Sequence, residues 1–138
     1  MRQAIHHLQV ATGGKGLTEI TAEVRRWAEG QGMGTGLLTL FCRHTSASLI
    51  IQENAAPAVR RDLNAFFDAI APEDGDYTHD DEGPDDMPSH IRTALTGVQL
   101  SIPLVDGRLA LGTWQGVYLF EHRRRPHRRD VVLHLLGE

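Results

Sequence analysis

Cysteine is nearly absent. Cys42 is the only one in 138 residues, so the chain can form no internal disulfide and no cysteine zinc cage. Long apolar runs are missing too. Uncharged stretches such as Ala94 to Val105, itself interrupted by Gly97 and Pro103, fall well short of the ~18 apolar residues that a membrane span requires. The amino-terminal Met1-Arg2-Gln3-Ala4-Ile5-His6-His7 lacks the apolar stretch of a signal peptide, so a cytoplasmic location is expected. A net charge of −4 gives no global attraction to nucleic acid. There is no repeat and no linker. At about 100–200 residues per domain, the chain reads as a single domain, 1–138. Hydrophobic residues at 41% and charged residues at 23% are ordinary for a folded globular protein and exclude a disordered chain.

The charge is unevenly spread. Glu73, Asp74, Asp76, Asp80, Asp81, Glu82, Asp85 and Asp86 follow one another without a Lys or Arg among them. Arg123, Arg124, Arg125, Arg128 and Arg129 crowd a second segment, which reads as a solvated loop with no catalytic part. The acidic segment is different, because His79, Gly83, Pro84 and Pro88 are interleaved with it, and a plain acidic tail needs no such shaped backbone.

Periodicity predicts an α+β fold. Ala4–Val10, Leu37–Arg43 and Ser48–Gln52 read as strands. Thr18 is expected to cap a helix to about Glu29, with Ile20, Val24 and Trp27 on one face. Pro57 opens a second helix whose apolar face carries Val59, Leu63, Phe66, Phe67 and Ile70. Pro88 opens a short third helix that Gly97 ends. Alternating strands then close the chain, with Asp106-Gly107 as a hairpin turn. The expectation is an antiparallel or mixed sheet with two longer helices and one short one.

Three histidines fall where a packing role is least natural. His44 follows a strand, His79 lies in the acidic segment, and His90 lies in the first turn of the short helix. Neutral imidazoles suit zinc-like ions, and Asp80, Glu82 and Asp86 are placed to orient their far nitrogens. Their spacing matches no local metal motif, so ordinary polar loop histidines remain the alternative. His6, His7, His122, His127 and His134 read as structural or exposed. Thr45, Ser46 and Ser48 offer hydroxyls past a strand end, and a helix N-terminus follows Glu53 and Asn54, an arrangement able to hold phosphate. Equally, Asn54 can simply cap that helix while Glu53 faces its dipole. In Gly112-Thr113-Trp114-Gln115-Gly116, Trp114 can stack a flat ring and Gln115 read its edge, or Trp114 can be a packing or subunit contact. Cys42, inside an apolar strand, reads as core.

Taken in order, His44-Thr45-Ser46-Ala47-Ser48, Gln52-Glu53-Asn54-Ala55, Val59-Arg60-Arg61-Asp62-Leu63, the run from Tyr77 to Ile91, Gly107-Arg108-Leu109 and Gly112 to Tyr118 resemble the YjbQ-type secondary thiamine-phosphate synthase family. The resemblance implies a β-sandwich, a likeness to homotrimeric assemblies, and a pocket that gathers these segments near a subunit boundary. It implies a divalent metal, zinc-like or Mg²⁺, on His44, His79 and His90. It also implies a transferase that joins an aminopyrimidine methyl diphosphate to a thiazole phosphate and releases pyrophosphate. In that chemistry Glu53, Asn54, Asp80 and Glu82 are the expected catalytic groups, and Thr45, Ser46, Ser48, Trp114 and Gln115 the expected substrate contacts. A small phosphorylated molecule is the expected partner, with no nucleic acid and no membrane. The alternatives are a metal-dependent hydrolase using Glu53 or Glu82 as base, and a non-catalytic trimeric module that binds a small ligand.

Overall fold

The computed structural model describes residues 1–138. Strands β1 (Arg2–Thr12), β2 (Gly16–Glu19), β3 (Gly36–Cys42), β4 (Ala47–Glu53), β5 (Gln99–Val105), β6 (Arg108–Leu109), β7 (Gln115–Glu121) and β8 (His127–Gly137) form two antiparallel sheets. The larger runs β1-β8-β3-β5-β6 and the smaller β2-β7-β4. Alternation along β8 turns Val131, Leu133 and Leu135 inward. With Leu38, Leu40, Ile102 and Leu104 they meet Ala47, Leu49, Val117 and Leu119 of the smaller sheet in one continuous core. Each fully buried Val, Leu or Ile side chain among them stabilises the fold by roughly 1.5–3 kcal/mol.

Helices α1 (Thr21–Glu29), α2 (Pro57–Ile70) and α3 (Asp86–Thr96) complete the fold. The α+β expectation therefore holds, but the shortest helix is α1, not α3. Thr18 does not cap α1. It pairs with Leu119 in β2, an edge strand the helical period concealed, and the helix starts only at Thr21. Val24 and Ala28 carry α1 into the core. The α2 face is apolar as expected, yet no α2 residue is fully buried. Phe67 stacks edge-on against Phe120, while Phe66 and Ile70 remain exposed. The turn after β5 is the expected one, with Asp106 at φ 50° and Gly107 at φ 77°, the left-handed pair of a type I′ hairpin. No helix is long and apolar enough to cross a membrane.

The start of α3 matters most for the site. It begins at Asp86, two residues before Pro88. Proline is tolerated there because the first four N–H groups of a helix have no partner within it. The earlier start puts Asp86 and His90 one turn apart on the same face.

Candidate metal centre and its cleft

Asp86 is the hub of the site. It is 4% exposed, and its Oδ2 lies 3.2 Å from His90 Nε2 and 2.8 Å from His79 Nε2. Glu82 Oε2 stands 2.9 Å from the same His79 nitrogen. The acidic loop between α2 and α3 folds back so that His79 faces the first turn of α3. The two imidazole rings come within 5.7 Å, centroid to centroid.

Hydrogen-bond chemistry at His90 defines what the site can hold. Its Nδ1 lies 3.1 Å from the carbonyl oxygen of Thr45, which can only accept, so Nδ1 carries a proton. Its Nε2 faces the Asp86 carboxylate, which also only accepts. A neutral ring has one N–H and satisfies one of these partners, and a cation at Nε2, proton or metal ion, satisfies the other. The Thr45 carbonyl fixes the tautomer that presents Nε2, as outer partners of metal-bound histidines do. The separations between donor atoms also suit an ion, since bonds of 2.0–2.1 Å in a tetrahedron give an edge of about 3.3 Å. Two imidazoles and one or two carboxylates form a donor set for a zinc-like or iron-like ion rather than for Mg²⁺. The hydrogen bond to Asp86, aided by Glu82, raises the His79 pKa above its ordinary value. Burial pushes the Asp86 carboxyl up, but His79, His90 and Arg123 together outweigh it and hold it below the usual carboxylate range.

The arginine segment is not a free solvated loop. Arg123 donates from Nη1 to Asp86 Oδ1 at 2.5 Å, from Nε to Asp85 Oδ2 at 3.0 Å, and from Nη2 to the Glu82 carbonyl at 3.0 Å. The Arg124 backbone N–H also binds Asp85 Oδ2, and its guanidinium pairs with Glu73. The acidic and basic blocks thus neutralise each other across the fold. Arg129 is in β8, 4% exposed, and pairs with the fully buried Glu121. The sequence carried a signal for Asp86, its i, i+4 spacing to His90. None pointed to Arg123, which lies 37 positions from Asp86.

His44 does not join the cluster, which comprises His79, Asp86 and His90. Its Nε2 accepts the backbone N–H of Asp130 at 2.8 Å, so no lone pair there is free for a metal. Burial first, and then the Arg129 charge, lowers its pKa. What His44 shares with His90 is a cleft of about 800 Å³ lined also by Phe41, Arg43, Thr45 and Ser46. Ser46 Oγ accepts from Arg129 Nη2 at 3.0 Å. Cys42 is core as expected, 1% exposed, and burial pushes its thiol up to about 11.

Ser48 is fully buried and does not reach the cleft. It belongs to a closed ring of hydrogen bonds with His122, Arg92 and Thr96. Arg92 Nε donates to His122 Nδ1 at 3.0 Å, which places the ring proton on Nε2, 2.8 Å from Ser48 Oγ. The Ser48 and Thr96 hydroxyls lie 2.6 Å apart, and Thr96 donates to the Arg92 carbonyl at 2.8 Å. Burial foremost, then the Arg92 and Arg129 charges, pushes the His122 pKa down to about 2.

Glu53, Asn54, Trp114 and Gln115 gather elsewhere. Glu53 pairs with Gln115 across β4 and β7, and the Asn54 N–H donates to the Trp114 carbonyl at 3.0 Å. Glu53 Oε2 accepts from the N–H groups of Ala55 and Ala56, so Glu53, not Asn54, ties down the approach to α2. Gln115 Oε1 is taken by the Gly112 N–H, and Trp114 is 63% exposed. Gly116 permits the close packing here, because a Cβ would lie 2.9 Å from Glu19 Oε2 and 3.0 Å from Asn54 Cβ. This group sits at the Glu53 end of β4 and the histidine loop at the Ala47 end, about 20 Å apart along an extended strand of seven residues. Asp80 is on the loop surface, outside the cluster.

The family model described as UPF0047 protein YjbQ-like matches residues 6–138. UPF0047 protein sll1880 of Synechocystis is 55% identical over 138 residues, spanning 99% of this chain and 94% of that protein. UPF0047 protein YjbQ of Escherichia coli O157:H7 is 42% identical over 132 residues, 95% of this chain and 96% of that protein. Among solved structures, the conserved hypothetical protein TT1486 of Thermus thermophilus matches with a TM-score of 0.81 at 37% identity, covering 95% of this chain and 99% of that one. An uncharacterized YjbQ/UPF0047 protein of Clostridium acetobutylicum matches with a TM-score of 0.84 at 32% identity, covering 96% and 99%.

Proposed function

The chain belongs to the UPF0047 protein YjbQ-like family, and from this membership and the site geometry we propose that it is a metal-dependent enzyme acting on a small phosphorylated molecule, of thiamine-phosphate synthase type. The observation that carries the metal-dependent reading is His90, whose two ring nitrogens both face acceptors while its Nε2 shares Asp86 Oδ2 with His79. His79, Asp86 and His90 would hold the ion, with Glu82 beside them. When bound, the ion supplies positive charge to a departing pyrophosphate.

In the proposed reaction the thiazole nitrogen attacks the pyrimidinylmethyl carbon. The carbon–oxygen bond to the diphosphate breaks, and pyrophosphate leaves with the electron pair. Glu82, exposed beside His79, offers negative charge to the cationic methylene as it develops. Ser46 takes an N–H from Arg129 on its oxygen, which leaves its own proton for a phosphate oxygen, and Thr45 offers a second hydroxyl at the cleft. Glu53, Asn54, Trp114 and Gln115 serve this reaction only if another subunit supplies them, because in one chain they stand at the far end of β4. A homotrimer accords with the exposed apolar residues Ile5, Leu37, Phe41 and Leu136 on the larger sheet.

A second reading, metal-assisted hydrolysis with Glu82 as general base, is favoured by one observation. Arg43, the cationic side chain lining the cleft, is already paired with Asp130 at 3.0 Å, which leaves little positive charge for a diphosphate. Purified protein should be incubated with the pyrimidine diphosphate and thiazole phosphate, with Zn²⁺, Fe²⁺ or Mg²⁺ and with chelator. Metal-dependent product formation is expected. No product with any metal defeats the synthase reading. Chelator-sensitive release of phosphate from a panel of phosphate esters would then support the hydrolase, and ligand-induced stabilisation without turnover would support a binding module.

A further inference from the structure

We infer that Arg123 is the positioning residue of the metal centre, acting through Asp86. The inference rests on the metal-binding reading of the His79, Asp86 and His90 cluster. A carboxylate directs one oxygen at an ion only when its rotation is fixed, and Asp86 has no other side-chain partner on Oδ1 than Arg123 Nη1. Arg123 is itself immobilised. Its Nε and Nη2 fork onto the two oxygens of Asp85, Nη2 also reaches the Glu82 carbonyl, and its backbone N–H binds Glu121 Oε2. Glu121 is itself fully buried and held by Arg129 and Thr12, so the anchor is fixed. The planar guanidinium therefore spans three points, Asp85, Asp86 and the backbone of the loop that carries Glu82 and His79. Lysine, a point donor on a flexible stem, cannot reproduce that span.

The sign of the effect separates this role from simple electrostatics. As a bystander cation Arg123 would repel a divalent ion, and its removal would tighten binding. As a positioning residue it sharpens the site, and its removal weakens binding by about 10–100-fold, the usual cost of losing an outer partner of a metal ligand. Co²⁺ affinity and the Co²⁺ absorption spectrum should be measured for the full-length wild type, Arg123→Gln, Arg123→Lys and Arg124→Gln. Each should be kept at a temperature where near-ultraviolet circular dichroism shows it folded. Arg124 pairs with Glu73 rather than with the cluster, so its replacement controls for net charge. The expected result is weaker Co²⁺ binding with an altered spectrum for both Arg123 variants and unchanged binding for Arg124→Gln. Equal or tighter binding by Arg123→Gln, or equal losses in Arg123→Gln and Arg124→Gln, overturns the inference. A wild type that binds no Co²⁺ overturns the metal-binding reading itself. Should Arg123→Gln not fold, Arg123→Lys, which keeps the charge and loses the fork, carries the same test, and Co²⁺ binding by it equal to or tighter than wild type overturns the inference.

Discussion

Glu121 and Asp86 are two shielded carboxylates, each paired with an arginine and each close to a histidine, and they are built for opposite ends. Every oxygen of Glu121 is saturated. Oε1 receives Thr12 Oγ1 at 2.6 Å and Arg129 Nε at 2.8 Å, and Oε2 receives Arg129 Nη2 and the N–H groups of His122 and Arg123. Burial pushes its pKa up, and these donors more than reverse that. Nothing is left over for a ligand. Asp86 gives Oδ1 to Arg123 and leaves Oδ2 to two imidazoles, one of them 43% exposed. Arg123 joins the two, with its backbone on the first carboxylate and its side chain on the second. A buried charge with complete donors is a rivet, and one left partly open toward imidazoles at a surface is a place for chemistry.

The largest effect should come from breaking the rivet. Glu121→Ala leaves Arg129 buried and unpaired, and urea denaturation should show a loss of about 3–5 kcal/mol. A loss below about 1 kcal/mol would erase the contrast drawn above. Asp86→Ala should cost divalent-ion affinity about 100-fold or more by calorimetry while destabilising the fold less than Glu121→Ala, because Arg123 keeps Asp85 as a partner. Unchanged affinity would remove the metal centre.

Acid should act on the core next. The unfolded His122 ring takes up a proton near 6.5, and the folded ring only near 2. Between these values the unfolded state holds more protons, so stability falls as pH drops below about 6.5, by up to about 1.4 kcal/mol per pH unit from this ring. Thermal melts from pH 7 to 4 should show this, and His122→Gln should flatten the slope. The depressed Glu121 carboxyl adds a further loss below about pH 4.5, again because the unfolded state protonates first. The smallest effect is Glu53→Ala. Losing its bonds to the Ala55 and Ala56 N–H groups should cost about 1 kcal/mol, as for a helix cap, with Co²⁺ affinity unchanged.

Local pattern was enough wherever one chain segment decides. The α2 helix opens at Pro57, the Asp106-Gly107 turn is type I′, and Leu133 and Leu135 face the core, all as period and turn chemistry predict. β2 was hidden, because its four residues become a strand only by pairing with β7. The three-histidine grouping was legible in part. His79 and His90 do come together, because the loop between α2 and α3 folds back onto the first turn of α3, which starts at Asp86. His44 was misplaced for a reason no local signal carries, namely the Asp130 N–H that occupies its ring. His122, set aside as structural, is structural, but only the fold shows that it is locked to Ser48 and Arg92.

By itself the sequence determined the alternation that makes two sheets, the helix faces, the turn and the residue types able to bind a cation, since each of these depends on neighbours a few positions away. Tertiary structure alone decided which charges meet. Arg123 reaches Asp86, Arg129 reaches Glu121, and His90 reaches the Thr45 carbonyl because strand pairing and the return of α3 across β4 bring them within bonding distance. Whether a carboxylate is a rivet or a ligand depends on how many donors surround it, and that number is a property of the folded chain.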